Sequence, residues 1–306
     1  MKPLKLRPAF KDYLWGGNKL NTLYGKRSGL ERTAESWEIS VHPDGLSQLD
    51  GGGTLAEYVA ADPSVLGTAR TSDELPILVK LIDAADDLSV QVHPNDEQAR
   101  LWEGQNGKTE LWYIVQAESD ARIIFGVKED ITPAAFSKAI RTNAVEALLE
   151  TYPTKVGDAF FVEAGTVHAI GKGNLIAEIQ QNSNVTYRLY DYDRRDKNGQ
   201  PRELHIEKGV RAAVLKRKQP PQPISTEDGR LLGRCNYFEV LEKQLCGTQR
   251  LPQSAASYQC LLVVNGELTV DDVPLNAGEA AFLPACDTQR ILKGNGTVLL
   301  VQSPRM

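Results

Sequence analysis

The 306-residue chain lacks several things that would each point to a function class. No stretch approaches the roughly 18 consecutive apolar residues of a membrane span. The opening "MKPLKLRPAFKDYLWGG" has no apolar run of the kind that marks a secretory signal. No excess of basic residues exists: the net charge is −5, and no Lys/Arg stripe stands out, which argues against nucleic acid or an anionic membrane as partner. Cysteine is sparse, and its four residues (Cys235, Cys246, Cys260, Cys286) fit no zinc-ribbon or redox spacing. They are expected to be reduced, mostly packed thiols of a cytoplasmic protein. Nothing in the sequence sets an oligomeric state, and a monomer is compatible with it.

What is present is ordinary globular composition, 41% hydrophobic and 25% charged, in a chain long enough for one large domain or two smaller ones. Short strand signals dominate. Helix signals are few: "TLAEYVAAD" with Thr54 as N-cap and Glu57 as its capping-box partner, "NDEQARLWEG" capped by Asn95 or Asp96, and "TPAAFSKAIRTNAVEALLETY" as one or two amphipathic helices beginning at Pro133 with Thr132 as N-cap. The segment "LKRKQPPQPIST" reads as a linker. Beyond it, "YFEVLEKQL", "SYQCLLVVNGELTV", "EAAFLP" and "GTVLLVQ" predict an all-β module. "VGDAFFVEAGTVHAI" and "AGEAAFLPACDTQRI" echo each other, which suggests two related β-barrels, only the first with metal-ligand residues.

The stretch "LSVQVHPND" places Gln91 and His93 in a strand. Alternate residues of a strand share a face. Leu88, Val90 and Val92 then form an apolar row suited to a core between sheets, and Gln91 and His93 the opposite, polar row. In "GKTELWYI", Lys108 and Glu110 share a face with Trp112 and Ile114, so Glu110 is a carboxylate on an apolar strand face. His168 follows the turn at Gly165. A single such residue reads as structural, and His42 and His205 are left in that class. Two imidazoles, a carboxylate and an amide oxygen together make a ligand set for a borderline divalent ion, most naturally zinc. Ligands from several strands of a barrel are the cupin arrangement, and "GDAFFVEAGTVHAI" resembles the second cupin motif. Arg188, in "NVTYRLYDY", is either a surface ion-pair residue with Asp191 or Asp193 or a functional cation.

"YLWGGNKL", "AESWEIS", "LVKLIDAADDLSVQVHPND", "GKTELWYI", "AGTVHAIGKG" and "AEIQQNSNVTYRLYDYDR" together resemble the type I mannose-6-phosphate isomerases, in their short bacterial form, over residues 8 to 211. The resemblance implies a mainly β fold of two cupin-like jelly-roll barrels. A catalytic part would span residues 1–215, with a helical segment at about 132–151, a Pro-rich linker 216–226, and a metal-free barrel 227–306. It implies one zinc per chain on Gln91, His93, Glu110 and His168. Catalytic roles fall on Arg188 and Lys108 and substrate binding on Lys80, for the interconversion of mannose 6-phosphate and fructose 6-phosphate through a zinc-assisted cis-enediol. Glu178 and Asp191 are candidates for the proton-moving base. Some longer members carry a His before the motif lysine. Gly107 stands there in this chain, so a proton-transfer role for that His does not carry over. An oxygen-using iron cupin and a non-catalytic sugar-binding cupin are the competing readings. Activity retained without oxygen would separate the first, since isomerisation needs no redox change, and the intact ligand set opposes the second.

Overall fold

The computed structural model describes residues 1–195 and 199–304, so the last two residues of the predicted C-terminal barrel lie outside the described residues. Three sheets organise these residues, and every strand pair in them is antiparallel. A six-stranded sheet runs in the order Ala159–Val162, Glu110–Ala117, Asn174–Gln181, Ile77–Asp83, Glu35–Ile39, Ala9–Lys11. A five-stranded sheet runs Tyr187–Tyr190, Val90–Val92, His168–Ile170, Arg122–Val127, Leu149–Pro153. The "PILVKLIDAADDLSVQVHP" segment thus crosses from one sheet to the other at its polar turn.

A nine-stranded sheet is built mainly from the last third of the chain, around three long strands: Glu239–Leu251, Gln259–Val270 and Arg290–Gln302. Its far edge is taken from the other end of the chain. Leu4–Arg7 pairs with Ala280–Leu283 and with Gln48–Leu49.

Core residues separate these layers. Val79, Leu81, Leu111, Ile179 and Phe161 on one face of the six-stranded sheet pack with Phe238, Val240, Leu262 and Phe282 of the nine-stranded sheet. The other face carries Trp112, Ile114 and Ile176, which pack with Phe125 and Ile170 of the five-stranded sheet. The outer face of the five-stranded sheet is closed by helices Pro133–Arg141 and Ile206–Ala212, through Phe136, Ile140 and Ala212. Each such apolar side chain, fully buried, contributes about 1.5–3 kcal/mol before entropy is counted.

The caps form where the sequence places them. Thr54 and Glu57 make a reciprocal capping box, as do Asn95 and Gln98. Thr132 accepts from the Ala135 N–H at 3.3 Å. Three expectations change. The helix from Pro133 ends at Arg141, Asn143 takes a left-handed φ of 53°, and a 3₁₀ turn covers Val145–Leu148. Leu149–Pro153 is then a strand, because it completes the edge beside Arg122–Val127. Val90 and Val92 face the covering helices and not the space between sheets, while Leu88 precedes the strand and joins the inner core. The inner face at this point belongs to Gln91 and His93. Of the cysteines, all free, only Cys260 is fully buried, and Cys246 is exposed. Among the described residues, no helix is long and apolar enough to cross a membrane.

Candidate metal centre and its cationic floor

Residues paired across adjacent strands share a face. On the five-stranded sheet one such row is Arg188, Gln91, His168 and Phe125. His93 lies two residues beyond Gln91 on the same side, and its ring centroid is 4.8 Å from that of His168. On the facing six-stranded sheet, one row is Val162, Glu110 and Gln180, and the next is Phe160, Trp112, Glu178, Lys80 and Trp37. The inner space between the sheets is therefore apolar except where these two sets of polar residues meet.

They meet at one point. His93 Nδ1 lies 2.8 Å from the Val185 carbonyl, and His168 Nδ1 2.8 Å from the Thr166 carbonyl. A carbonyl only accepts, so both imidazoles carry their proton on Nδ1 and turn a bare Nε2 inward. His93 Nε2 is 3.4 Å from Glu110 Oε2, and His168 Nε2 is 3.4 Å from Glu110 Oε1. Burial lowers both imidazoles, His93 to about 4 with help from the Lys108 charge, so they are neutral at physiological pH, the form that binds metals. Burial alone would raise Glu110, but the Lys108 ammonium at 2.9 Å, together with the His93 and His168 imidazoles, holds the carboxyl well below the usual carboxylate range.

His93 Nε2 and both Glu110 oxygens are buried with no hydrogen-bond partner among the described residues. One ligand atom each of His93, Glu110 and His168 lies within 4.8 Å of the others, and because buried polar atoms are almost always satisfied, the unbonded His93 Nε2 and Glu110 Oε1 among them mark a cation site. The Gln91 amide nitrogen is 3.4 Å from His168 Nε2, and a half-turn of the amide brings its oxygen to the same place. The donor set fits a divalent metal.

Below this centre lies a charged floor. Lys80, only 3% exposed, is 3.5 Å from Glu35 Oε2 and 3.4 Å from Glu178 Oε1, and its ammonium sits 4.8 Å above the Trp37 ring. Burial would lower its pKa, but Glu35, Glu178 and Glu110 raise it, so Lys80 stays charged. Lys108 is 3.9 Å from Glu178 Oε1. Glu178 is held on its other oxygen by the Trp112 indole at 3.1 Å, while Oε1 has no hydrogen-bond partner among the described residues.

Comparison with known proteins identifies the family. The sequence model for the catalytic domain of type I phosphomannose isomerase matches residues 4–110. The mannose-6-phosphate isomerase ManA of Bacillus subtilis is 39% identical over 282 residues, which are 87% of this chain and 86% of that protein. The chain belongs to the type I phosphomannose isomerase family. A crystal structure of the mannose 6-phosphate isomerase from Bacillus subtilis superposes with a TM-score of 0.91 at 35% identity, covering 98% of this chain and 99% of that one. A structure of mannose 6-phosphate isomerase bound with zinc and yttrium shares the fold, with a TM-score of 0.79 at 19% identity. Like its family, this chain is an enzyme, an aldose–ketose isomerase.

Within this family member, all seven residues singled out in the sequence are placed by the fold. Gln91, His93, Glu110 and His168 converge; Lys108 touches Glu110; Lys80 lies one row deeper. Arg188 is half-buried at the end of the ligand row. Among the described residues no carboxylate pairs with its guanidinium: Asp191 is clamped by Arg194 and Arg202 instead, at 2.6 and 2.7 Å. Arg188 Nη1 donates to the Glu203 carbonyl at 2.9 Å, and its Nε is buried without a partner. His205 has the structural role expected of it, accepting the Arg188 N–H on Nδ1 at 3.2 Å. Sequence reasoning missed Glu35 and Trp37, whose side chains bond each other at 2.6 Å beneath Lys80. Their signal was the run "ESWEI", five residues all buried, in which Glu35 and Glu38 bracket a serine and a tryptophan.

Proposed function

We propose that the chain interconverts mannose 6-phosphate and fructose 6-phosphate through a cis-enediol, with one zinc ion held by Gln91, His93, Glu110 and His168. The observation that carries the metal is the convergence of one buried ligand atom each from His93, Glu110 and His168, with His93 Nε2 and Glu110 Oε1 lacking any hydrogen bond among the described residues. Zinc is chosen because two imidazoles with a carboxylate and an amide suit a borderline ion, and because the mannose 6-phosphate isomerase of the same fold binds it. When bound, it supplies Lewis-acid stabilisation of negative charge on the sugar's O1 and O2.

The rest is the work of side chains. Isomerisation takes a proton from C2 and returns one to C1, with a matching transfer between O2 and O1, so no electrons leave the substrate. Glu178 suits the carbon-bound proton. Its Oε2 is fixed by Trp112, while its Oε1 accepts no hydrogen bond from the described residues and lies 3.4 and 3.9 Å from the Lys80 and Lys108 ammonium groups. Asp191 is not suited, since two arginines occupy it. Lys108 and Arg188 stabilise charge growing on the sugar oxygens. Lys80 adds positive potential at the substrate end from behind Glu178, and the dianionic phosphate is drawn to this cationic set.

We place the enzyme in the cytoplasm, where its sugar phosphate is found, and divide it as residues 1–215 catalytic, 216–226 a linker whose end, Ile224–Thr226, already pairs into the nine-stranded sheet, and 227–306 a second jelly-roll barrel to which Leu4–Arg7 and Gln48–Leu49 add edge strands. No histidine falls within 227–306. Zinc is therefore expected only in the first part, and stoichiometric zinc bound by His93→Ala/His168→Ala protein would show the second part to be a metal site after all.

The deciding assay couples fructose 6-phosphate formation from mannose 6-phosphate to a reporter enzyme, before and after chelation, with and without oxygen. Activity is expected to vanish with the metal, to return with about one equivalent of zinc, and to be indifferent to oxygen. Full turnover by metal-free protein would remove zinc from the mechanism. A zinc-loaded protein that leaves mannose 6-phosphate unchanged would remove the activity itself.

A further inference from the structure

The Lys108 side chain has four rotatable bonds, so its position depends on how firmly the backbone at residues 106–109 is held. That segment lies outside the strand Glu110–Ala117, yet each of its residues is tied down. Ser183 Oγ donates to the Asn106 carbonyl at 2.7 Å. The Lys108 N–H donates to the Pro94 carbonyl at 3.1 Å. The Thr109 N–H donates to Gln181 Oε1 at 2.8 Å, and the Thr109 carbonyl accepts the Gln181 N–H at 3.1 Å.

Gly107 is held most tightly. A Cβ there would meet the Asn95 carbonyl carbon and the Asp96 nitrogen at 2.5 Å, so the segment can approach only as glycine. Its N–H donates to Asp96 Oδ1 at 2.9 Å, and Gln181 Nε2 reaches the same oxygen at 3.2 Å. Asp96 is not needed as a helix cap, because Asn95 already serves. Its second oxygen, Oδ2, accepts the phenol of Tyr237. Burial and the neighbouring carboxylate push that phenol up to about 12, so it stays a donor across the working range of pH. Tyr237 lies just before Glu239–Leu251, far in sequence from the residues of the charged centre.

We propose that Tyr237 is a positioning residue for catalysis. Through Asp96 it fixes the Gly107 N–H, and with it the place of the Lys108 ammonium between Glu110 and Glu178. The C-terminal part thereby takes a share in the chemistry without touching substrate. The inference rests on the catalytic reading of Lys108 given above. It gives the bond a purpose that packing would not. A phenylalanine keeps the packing of the ring and removes only the donor.

Steady-state kinetics on full-length, zinc-loaded Tyr237→Phe test it, alongside Lys108→Met and the double variant. Tyr237→Phe is expected to lower kcat by roughly five- to twentyfold with KM within about twofold. Zinc content and melting temperature should stay near those of the parent. In the Lys108→Met background the same change should have almost no further effect, because its route to the chemistry has already been removed. Asp96→Asn, which keeps an acceptor for Gly107 but weakens the bond to Tyr237, should fall between parent and Tyr237→Phe, and it serves if that variant fails to fold. Unchanged kcat in both Tyr237→Phe and Asp96→Asn overturns the proposal. So does an equal loss with and without Lys108, which would place the tyrosine's effect elsewhere. Full activity in Lys108→Met overturns the reading of Lys108 and this inference with it, whereas a damaged Lys108→Met beside an intact Tyr237→Phe refutes the inference alone.

Discussion

His168→Ala is expected to empty the metal site and lower kcat/KM by more than about 10³-fold, with the fold retained. The imidazole is one of the inward-facing nitrogens, and no other described side chain can take its place: Phe125 is its neighbour in the row and Trp112 lies edge-on at 5.3 Å. Glu110 would then hold two buried oxygens with His93 and Lys108 as its only nearby partners. The stability cost is expected to be about 1–3 kcal/mol, the range for a small buried cavity with one lost hydrogen bond, here that from Nδ1 to Thr166. The rest of the inner core, from Trp112 to Ile176, is untouched. Metal analysis, circular dichroism and the coupled assay on one preparation suffice. A variant that keeps both its zinc and its turnover would sink the assignment of His168.

Arg188→Ala carries the second largest effect. Its guanidinium is paired with no carboxylate among the described residues, and its strand position lies opposite Gln91. An uncommitted cation at the end of the ligand row suits stabilisation of the enediolate. Losing such a donor costs about 10²–10³ in rate. The expected signature is a parallel fall in kcat and kcat/KM with KM nearly constant. If Arg188 instead grips the phosphate equally in ground and transition states, KM rises and kcat holds. If it serves only the Glu203 carbonyl, neither constant moves and stability changes by at most about 1 kcal/mol. Zinc content must be measured in the same sample, because Gln91 is its neighbour. An unchanged kcat removes Arg188 from the catalytic set.

Much of this centre was legible in the chain before folding. Gln91 and His93 alternate with Val90 and Val92, and Glu110 alternates with Trp112 and Ile114, because a strand has a period of two and polar residues on a buried face need a reason to be there. The caps at Thr54, Asn95 and Thr132 are legible for a similar cause, since their hydrogen bonds close within three residues. What only the tertiary structure decided is everything that depends on pairing between distant strands. Register places Arg188, Gln91 and His168 in one row, and a slip of a single residue would turn one of them to the opposite face. Sheet packing sets Glu110 against both imidazoles. It also brings Glu35, Lys80 and Glu178 together from three strands far apart in sequence. The same non-local pairing made Leu149–Pro153 a strand, joined Leu4–Arg7 to the C-terminal sheet, and set Tyr237 on Asp96. Periodicity shows which side of a strand is polar. Which polar sides meet is settled by hydrogen-bond register and by the burial of the apolar faces between the sheets, and neither is a property of any local stretch.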